Sequence, residues 1–153
     1  MILVVFPSLV RRQVLRQHTE LRGFLERALA ETTRGLRGEG VDREQLVALV
    51  RDLREGFQVH LAFEEEALLP VLAALPSFGP EGVAEVSAEH ARQRGDLDTL
   101  IEGLESGWEM ERLALVMRSL ITDLLIDMAE EEHACLGETM LGEEVFAYQA
   151  PGA

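Results

Sequence analysis

The chain has 153 residues, of which 47% are hydrophobic and 27% charged, the balance of a globular domain with one core. Its formal net charge of −14, with arginine as the whole of its positive charge, argues against nucleic acid or an anionic membrane as a partner. The single cysteine, Cys135, excludes an internal disulfide and favours a reducing compartment.

The opening stretch, Met1–Phe6, is apolar but has no basic region before it and stops at Pro7. It is too short for a signal peptide or a membrane span. Together with the cysteine usage, this predicts a soluble cytoplasmic protein.

Apolar residues recur at helical spacing along four segments, and no alternating strand pattern is found. A glycine-punctuated loop separates the first two, and Asp42 followed by Gln45 resembles a capping box for the second. The predicted helices cover about residues 8–32, 43–75, 81–105 and 108–140.

Four successive helices with short connections predict an all-α fold, an antiparallel up-down four-helix bundle, because short connections place successive helices side by side. We expect a single domain over residues 1–153, with the bundle core at about 8–140 and a loosely ordered tail at 141–153.

His60 and Glu64 stand one helical turn apart in the second predicted helix, within a stripe of apolar residues. Burying a carboxylate on a face that packs against a core costs roughly several kcal/mol unless a charged or hydrogen-bonding partner meets it. A metal ion is the first candidate.

The two halves of the chain are related by an internal sequence repeat. At a constant offset of 67, Glu64 maps onto Glu131 and His60 maps onto Asp127. At an offset of 72, His18 maps onto His90, and arginines follow both four residues later. Helices related in this way would bring one layer of candidate metal ligands together: His18, His60, Glu64, His90, Asp127 and Glu131.

Imidazoles and carboxylates on facing helices can hold two transition-metal ions with carboxylate bridges. Each ligating imidazole also needs a hydrogen-bond partner for its second nitrogen. The sequence does not identify these partners, although four glutamates lie close to candidate ligands: Glu20, Glu65, Glu89 and Glu132.

Two alternatives concern the fourth helix. Glu130 and His133 form a Glu-x-x-His pattern, but their face also carries Asp123, so we favour the register of Asp127 and Glu131, with His133 at the surface. We interpret Cys135 as a small core residue, with a redox-sensitive thiol near the metal as the alternative.

At these residues the chain resembles the hemerythrin-like family, in its HHE cation-binding branch, over about residues 8–140. The family pattern is a histidine, His-x3-Glu, a histidine and His-x3-Glu on four successive helices. His18, His60 with Glu64, and His90 match it. The resemblance implies a non-haem iron site, two oxo- or carboxylate-bridged Fe ions with Zn or Mn as alternatives, that binds O2, NO or peroxide or serves in iron handling.

The fourth element departs from the family pattern, because Asp127 stands where a histidine is expected. Aspartate is shorter and negatively charged, which leaves open whether the site holds one metal or two. The leading interpretation is a metal protein that binds or senses O2 or NO or handles iron; a di-iron oxidase, peroxidase or iron-centre repair factor is the second, and a metal-free bundle that acts through protein contacts is the third. The sequence suggests no catalytic residue, and the chain could be a monomer or a homodimer.

Overall fold

Helices make up most of the chain that the computed structural model describes, which is residues 2–137, 141 and 146–149. The elements are β1 (Ile2–Val5), α1 (Pro7–Leu36), α2 (Arg43–Phe63), a π-helical turn (Glu64–Leu68), α3 (Leu69–Ala73), α4 (Gly79–Glu105), α5 (Met110–Ala134) and β2 (Phe146–Gln149). Since α2, the π-helical turn and α3 follow one another without a break, the chain forms four long helical segments, and the predicted all-α bundle is confirmed. None of the helices described combines the length and apolar character needed to cross a bilayer.

A small two-stranded sheet was not predicted. β1 and β2 pair antiparallel, with Ile2 opposite Gln149 and Val5 opposite Phe146. Four residues are too few for an alternating pattern to stand out, so the partner is set by the fold and not by local sequence. Part of the predicted loose tail is therefore a strand, and residues 142–145 and 150–153 lie outside those described.

The second helical segment begins as predicted. The Asp42 carboxylate accepts a hydrogen bond from the Gln45 amide nitrogen, and the Gln45 side chain accepts one from the Asp42 amide, each at 2.9 Å. The fourth helix, predicted to reach about residue 140, ends at Ala134 instead. Cys135 leaves the helical conformation at φ −136°, and Cys135 and Leu136 turn into a buried apolar cluster.

The π-helical turn begins at Glu64, within the second helical segment. The Leu69 amide donates to the Glu64 carbonyl, five residues back. Pro70 follows and has no amide hydrogen, so the regular helical bond at its own position is missing. Widened turns of this kind are frequent at functional sites.

Two apolar clusters fill the bundle, and a polar layer separates them. One cluster includes Leu25 and Phe57, and the other includes Val14 and Leu72. Along every long segment, the polar layer comes between residues of the two clusters, so it is shielded from water on both sides along the bundle axis.

Candidate metal centre

Five of the six predicted ligands meet in this polar layer, and each comes from a different element. They are His18 on α1, His60 on α2, Glu64 in the π-helical turn, His90 on α4 and Glu131 on α5. The three histidines and Glu64 are at most 4% exposed. Buried histidines on three separate helices are thus brought around one buried carboxylate.

The Glu64 carboxylate lies at the centre, and the Nε2 atom of each histidine faces it. Oε1 lies 3.3 Å from His18 Nε2 and 2.8 Å from His60 Nε2. Oε2 lies 2.9 Å from His90 Nε2. The two oxygens of one carboxylate therefore face different histidines.

The outer nitrogen of each imidazole is also satisfied. Nδ1 of His18 donates to the Glu132 carboxylate at 3.1 Å, and Nδ1 of His90 donates to the Glu65 carboxylate at 3.1 Å. His60 Nδ1 lies 2.8 Å from the side-chain oxygen of Gln17. Since Nδ1 carries the hydrogen in each case, Nε2 is left free to accept a proton or to bind a metal.

Arginines complete the two outer carboxylate contacts. Arg22 donates to Glu132 at 2.9 Å, and Arg94 donates to Glu65 with its two terminal nitrogens, at 2.5 and 2.9 Å. Glu65 corresponds to Glu132 at the offset of 67, as Arg22 does to Arg94 at the offset of 72, so the sequence held a signal for both contacts. Gln17 was missed, because nothing in the sequence marks it except its position next to a histidine.

Glu131 has an unsatisfied oxygen. Its Oε1 is buried and has no hydrogen-bond partner among the described residues, although it lies 3.3 Å from His18 Nε2. A buried carboxylate oxygen without a partner carries a large desolvation cost. A bound cation would remove that cost, so this oxygen fits the role of a metal ligand.

Charges in the layer depend strongly on one another. Burial lowers the pKa of His18, but its contacts with the Glu131 and Glu64 carboxylates outweigh burial and raise the pKa to about 10. Burial raises the pKa of Glu64, yet the three imidazoles hold it well below its usual range. For Glu131, burial and the neighbouring Glu64 carboxylate raise the pKa to about 7. Without metal, the layer therefore holds protons in the positions that a cation would take.

Asp127, the sixth predicted ligand, is engaged elsewhere. Its Oδ2 accepts hydrogen bonds from Arg92 at 2.6 Å and from Gln93 at 3.1 Å. Among the described residues, the groups close enough to share an ion are His18, His60 and Glu64, and Glu64, His90 and Glu131. Asp127 belongs to neither, so its role as a ligand remains a prediction.

Three other residues that the sequence singled out lie outside the centre. His133 is exposed, in agreement with the register chosen for α5. Cys135 is 2% exposed, and burial raises the pKa of its thiol to about 12, so it packs as a protonated core residue. Glu20 pairs at the surface with Arg16.

The donor set fits a transition-metal ion. It combines imidazole nitrogens with carboxylate oxygens, holds each imidazole by its outer nitrogen, and contains a buried oxygen without a partner. Comparison with known proteins agrees: the family model described as Hemerythrin HHE cation binding domain matches residues 10–137. Searches of the curated proteins and of the solved structures gave no significant match.

Proposed function

The chain belongs to the hemerythrin family of HHE cation-binding domains, and from this premise we propose that it is a non-haem di-iron protein. It would bind or sense O2 or NO, or handle iron, at the centre in the polar layer. Family membership makes cation binding its general activity. The identity of the metal, the number of ions and the small ligand are the parts that we propose.

The observation that carries the proposal is the division of Glu64 between two sets of imidazoles. One oxygen faces His18 and His60, and the other faces His90. A carboxylate placed in this way would suit a centre of two metal ions, with Glu64 among the residues that hold both. Glu131 would be the second carboxylate of the centre.

Iron would supply a change of oxidation state and open coordination positions for a small ligand. The protein residues would orient the imidazoles and keep water out of the centre. Glu132, Gln17 and Glu65 hold the imidazoles with Nε2 turned inward. The apolar clusters on both sides exclude water, which strengthens the interaction between the carboxylates and a cation.

An enzymatic function is the second candidate, and the second group of ligands favours it. Glu64, His90 and Glu131 supply two carboxylates and one imidazole, a donor set of the kind found in ferritin-like di-iron proteins. Such a centre would suit an oxidase, a peroxidase or an iron-centre repair factor.

Metal analysis and optical spectra test the proposal together. We expect protein reconstituted with Fe(II) under anaerobic conditions to retain iron after desalting, and its spectrum to change on exposure to O2 or NO. Reversible change favours binding or sensing, whereas turnover of peroxide or release of iron to an acceptor favours the enzymatic candidate. A reconstituted chain that retains no transition metal would overturn the proposal.

A further inference from the structure

Asp127 occupies the position at which the relation between the two halves breaks down. At the offset of 67 it corresponds to His60, whose ring faces Glu64. The Asp127 carboxylate instead accepts two hydrogen bonds from consecutive residues of α4, Arg92 and Gln93. The two halves thus present different groups to the polar layer.

The contacts that hold Asp127 are specific to this half. Arg92, whose side chain is 46% exposed, donates a short charge-assisted hydrogen bond of 2.6 Å to Asp127 and a longer one of 3.2 Å to Asp96. Gln93 is only 5% exposed, and its amide nitrogen donates to Asp127 at 3.1 Å and to Glu89 at 3.4 Å, so burial favours keeping both partners. The corresponding residues of α1 at the offset of 72, Glu20 and Leu21, have no side-chain donor to offer.

We propose that Arg92 and Gln93 are positioning residues that hold the Asp127 carboxylate outside the metal centre and so make the two metal positions unequal. This inference rests on the proposed function. One position has His18, His60 and Glu64, with two imidazoles. The other has Glu64, His90 and Glu131, with one imidazole, and lacks the ligand that residue 127 would supply.

Unequal positions fill in sequence. The position with two imidazoles should take the first ion, since imidazole is a good donor for divalent first-row metals. The other should bind more weakly. Asp127 lies one helical turn before Glu131 on α5, so releasing it from Arg92 would return a carboxylate to the weaker position.

Titration of the metal-free protein with Co(II), followed by calorimetry and visible absorption, tests this. We expect two unequal steps in the native protein and in Asp127→Asn. Arg92→Met should tighten the weaker step by about tenfold or more, within the range by which residues around a metal site alter affinity. Arg92→Lys, which keeps a donor and a charge, should behave as the native protein, and so should the matched control Arg118→Met, an exposed arginine of α5.

The double variant Arg92→Met/Asp127→Asn separates positioning from a general charge effect. We expect the double variant to lose the gain in affinity at the weaker step, because that gain requires the Asp127 carboxylate. Any of four results would overturn the inference while leaving metal binding intact. They are a gain in affinity that persists in the double variant, a weaker step that is unchanged in Arg92→Met, equal steps in the native protein, or loss of a step in Asp127→Asn. A native chain that binds no metal would overturn the proposed function and this inference with it.

Discussion

At the scale of single residues, Glu64 determines the charge balance of the centre. It is fully buried and is surrounded by three imidazoles at 2.8 to 3.3 Å. Burial disfavours its charge, but the imidazoles favour it more and hold its pKa well below the usual range. Without a metal, the carboxylate is therefore charged.

Glu64→Gln should abolish metal retention and destabilise the metal-free protein. Removing the charge leaves the buried imidazoles without their shared partner, and breaking a buried ion pair on one side costs about 3–5 kcal/mol. Elemental analysis and denaturant unfolding measure the two effects. Glu66→Gln is the matched control: Glu66 belongs to the same acidic run but is exposed, so its substitution should change stability by less than about 0.5 kcal/mol. Retention of the native amount of metal by Glu64→Gln would contradict the role given to it.

Between helices, the repeated arrangement of histidine, glutamate and arginine orients the imidazoles. His18, Glu132 and Arg22 link α1 with α5, as His90, Glu65 and Arg94 link α4 with the π-helical turn. Each glutamate fixes its ring by accepting the Nδ1 hydrogen, and the arginine fixes the glutamate.

Glu132→Gln should weaken metal binding by about 10- to 100-fold without loss of the fold, since an amide is a poorer acceptor for the Nδ1 hydrogen. Calorimetric titration measures the affinity, and circular dichroism reports helix content. Glu130→Gln alters the exposed residue two positions earlier and should leave the affinity unchanged. Equal affinities in the two variants would show that the contact with His18 does not orient the ring.

The contact between α4 and Trp108, in the connection that leads to α5, depends on a residue without a side chain. A Cβ at Gly103 would lie 2.3 Å from the Trp108 ring, whereas a Cβ at Gly95, on the same helix, would meet nothing within 4 Å. Gly103→Ala should therefore destabilise the protein by about 1–3 kcal/mol through overpacking. Gly95→Ala should stabilise it by about 0.5–1 kcal/mol through helix propensity. Denaturant unfolding of both variants checks the difference in sign, and equal effects would contradict this packing.

Much of this arrangement could be predicted from the sequence, because periodicity reports which face of a helix is buried. The apolar stripes placed Glu64 and Glu131 inward and His133 outward. Contacts decided by neighbouring helices could not be predicted in the same way. The hydrogen bond that holds Asp127 to Arg92 joins residues 35 positions apart, and the strand pairing joins the two ends of the described chain.

For the molecule as a whole, protons and metal ions compete for one buried layer. The folded metal-free state holds a proton on His18 up to about pH 10, against an ordinary value of 6.5. A raised pKa stabilises the folded state below the ordinary value, and that contribution is lost as the pH rises through about 10. The raised pKa of Glu131 acts in the same direction, with its contribution lost as the pH rises through about 7.

Glutamates with lowered pKa values act in the opposite direction. Glu64, Glu65 and Glu132 stabilise the folded state above their ordinary value of 4.5, and their contribution is lost as the pH falls below it. Metal-free protein should therefore be most stable in the mildly acidic range and lose stability on both sides.

Metal binding must displace the protons of the layer, so the stabilisation that it provides should grow as the pH rises from about 6 to about 9. Thermal unfolding of metal-free and metal-loaded protein should show a gap in Tm that widens over this range, because the metal-free state loses its proton-dependent contacts while the bound ion takes their place. Calorimetry in buffers of different ionisation enthalpy should detect protons released per ion bound. A constant gap in Tm, or binding without proton release near neutral pH, would mean that His18 and Glu131 do not face the ion.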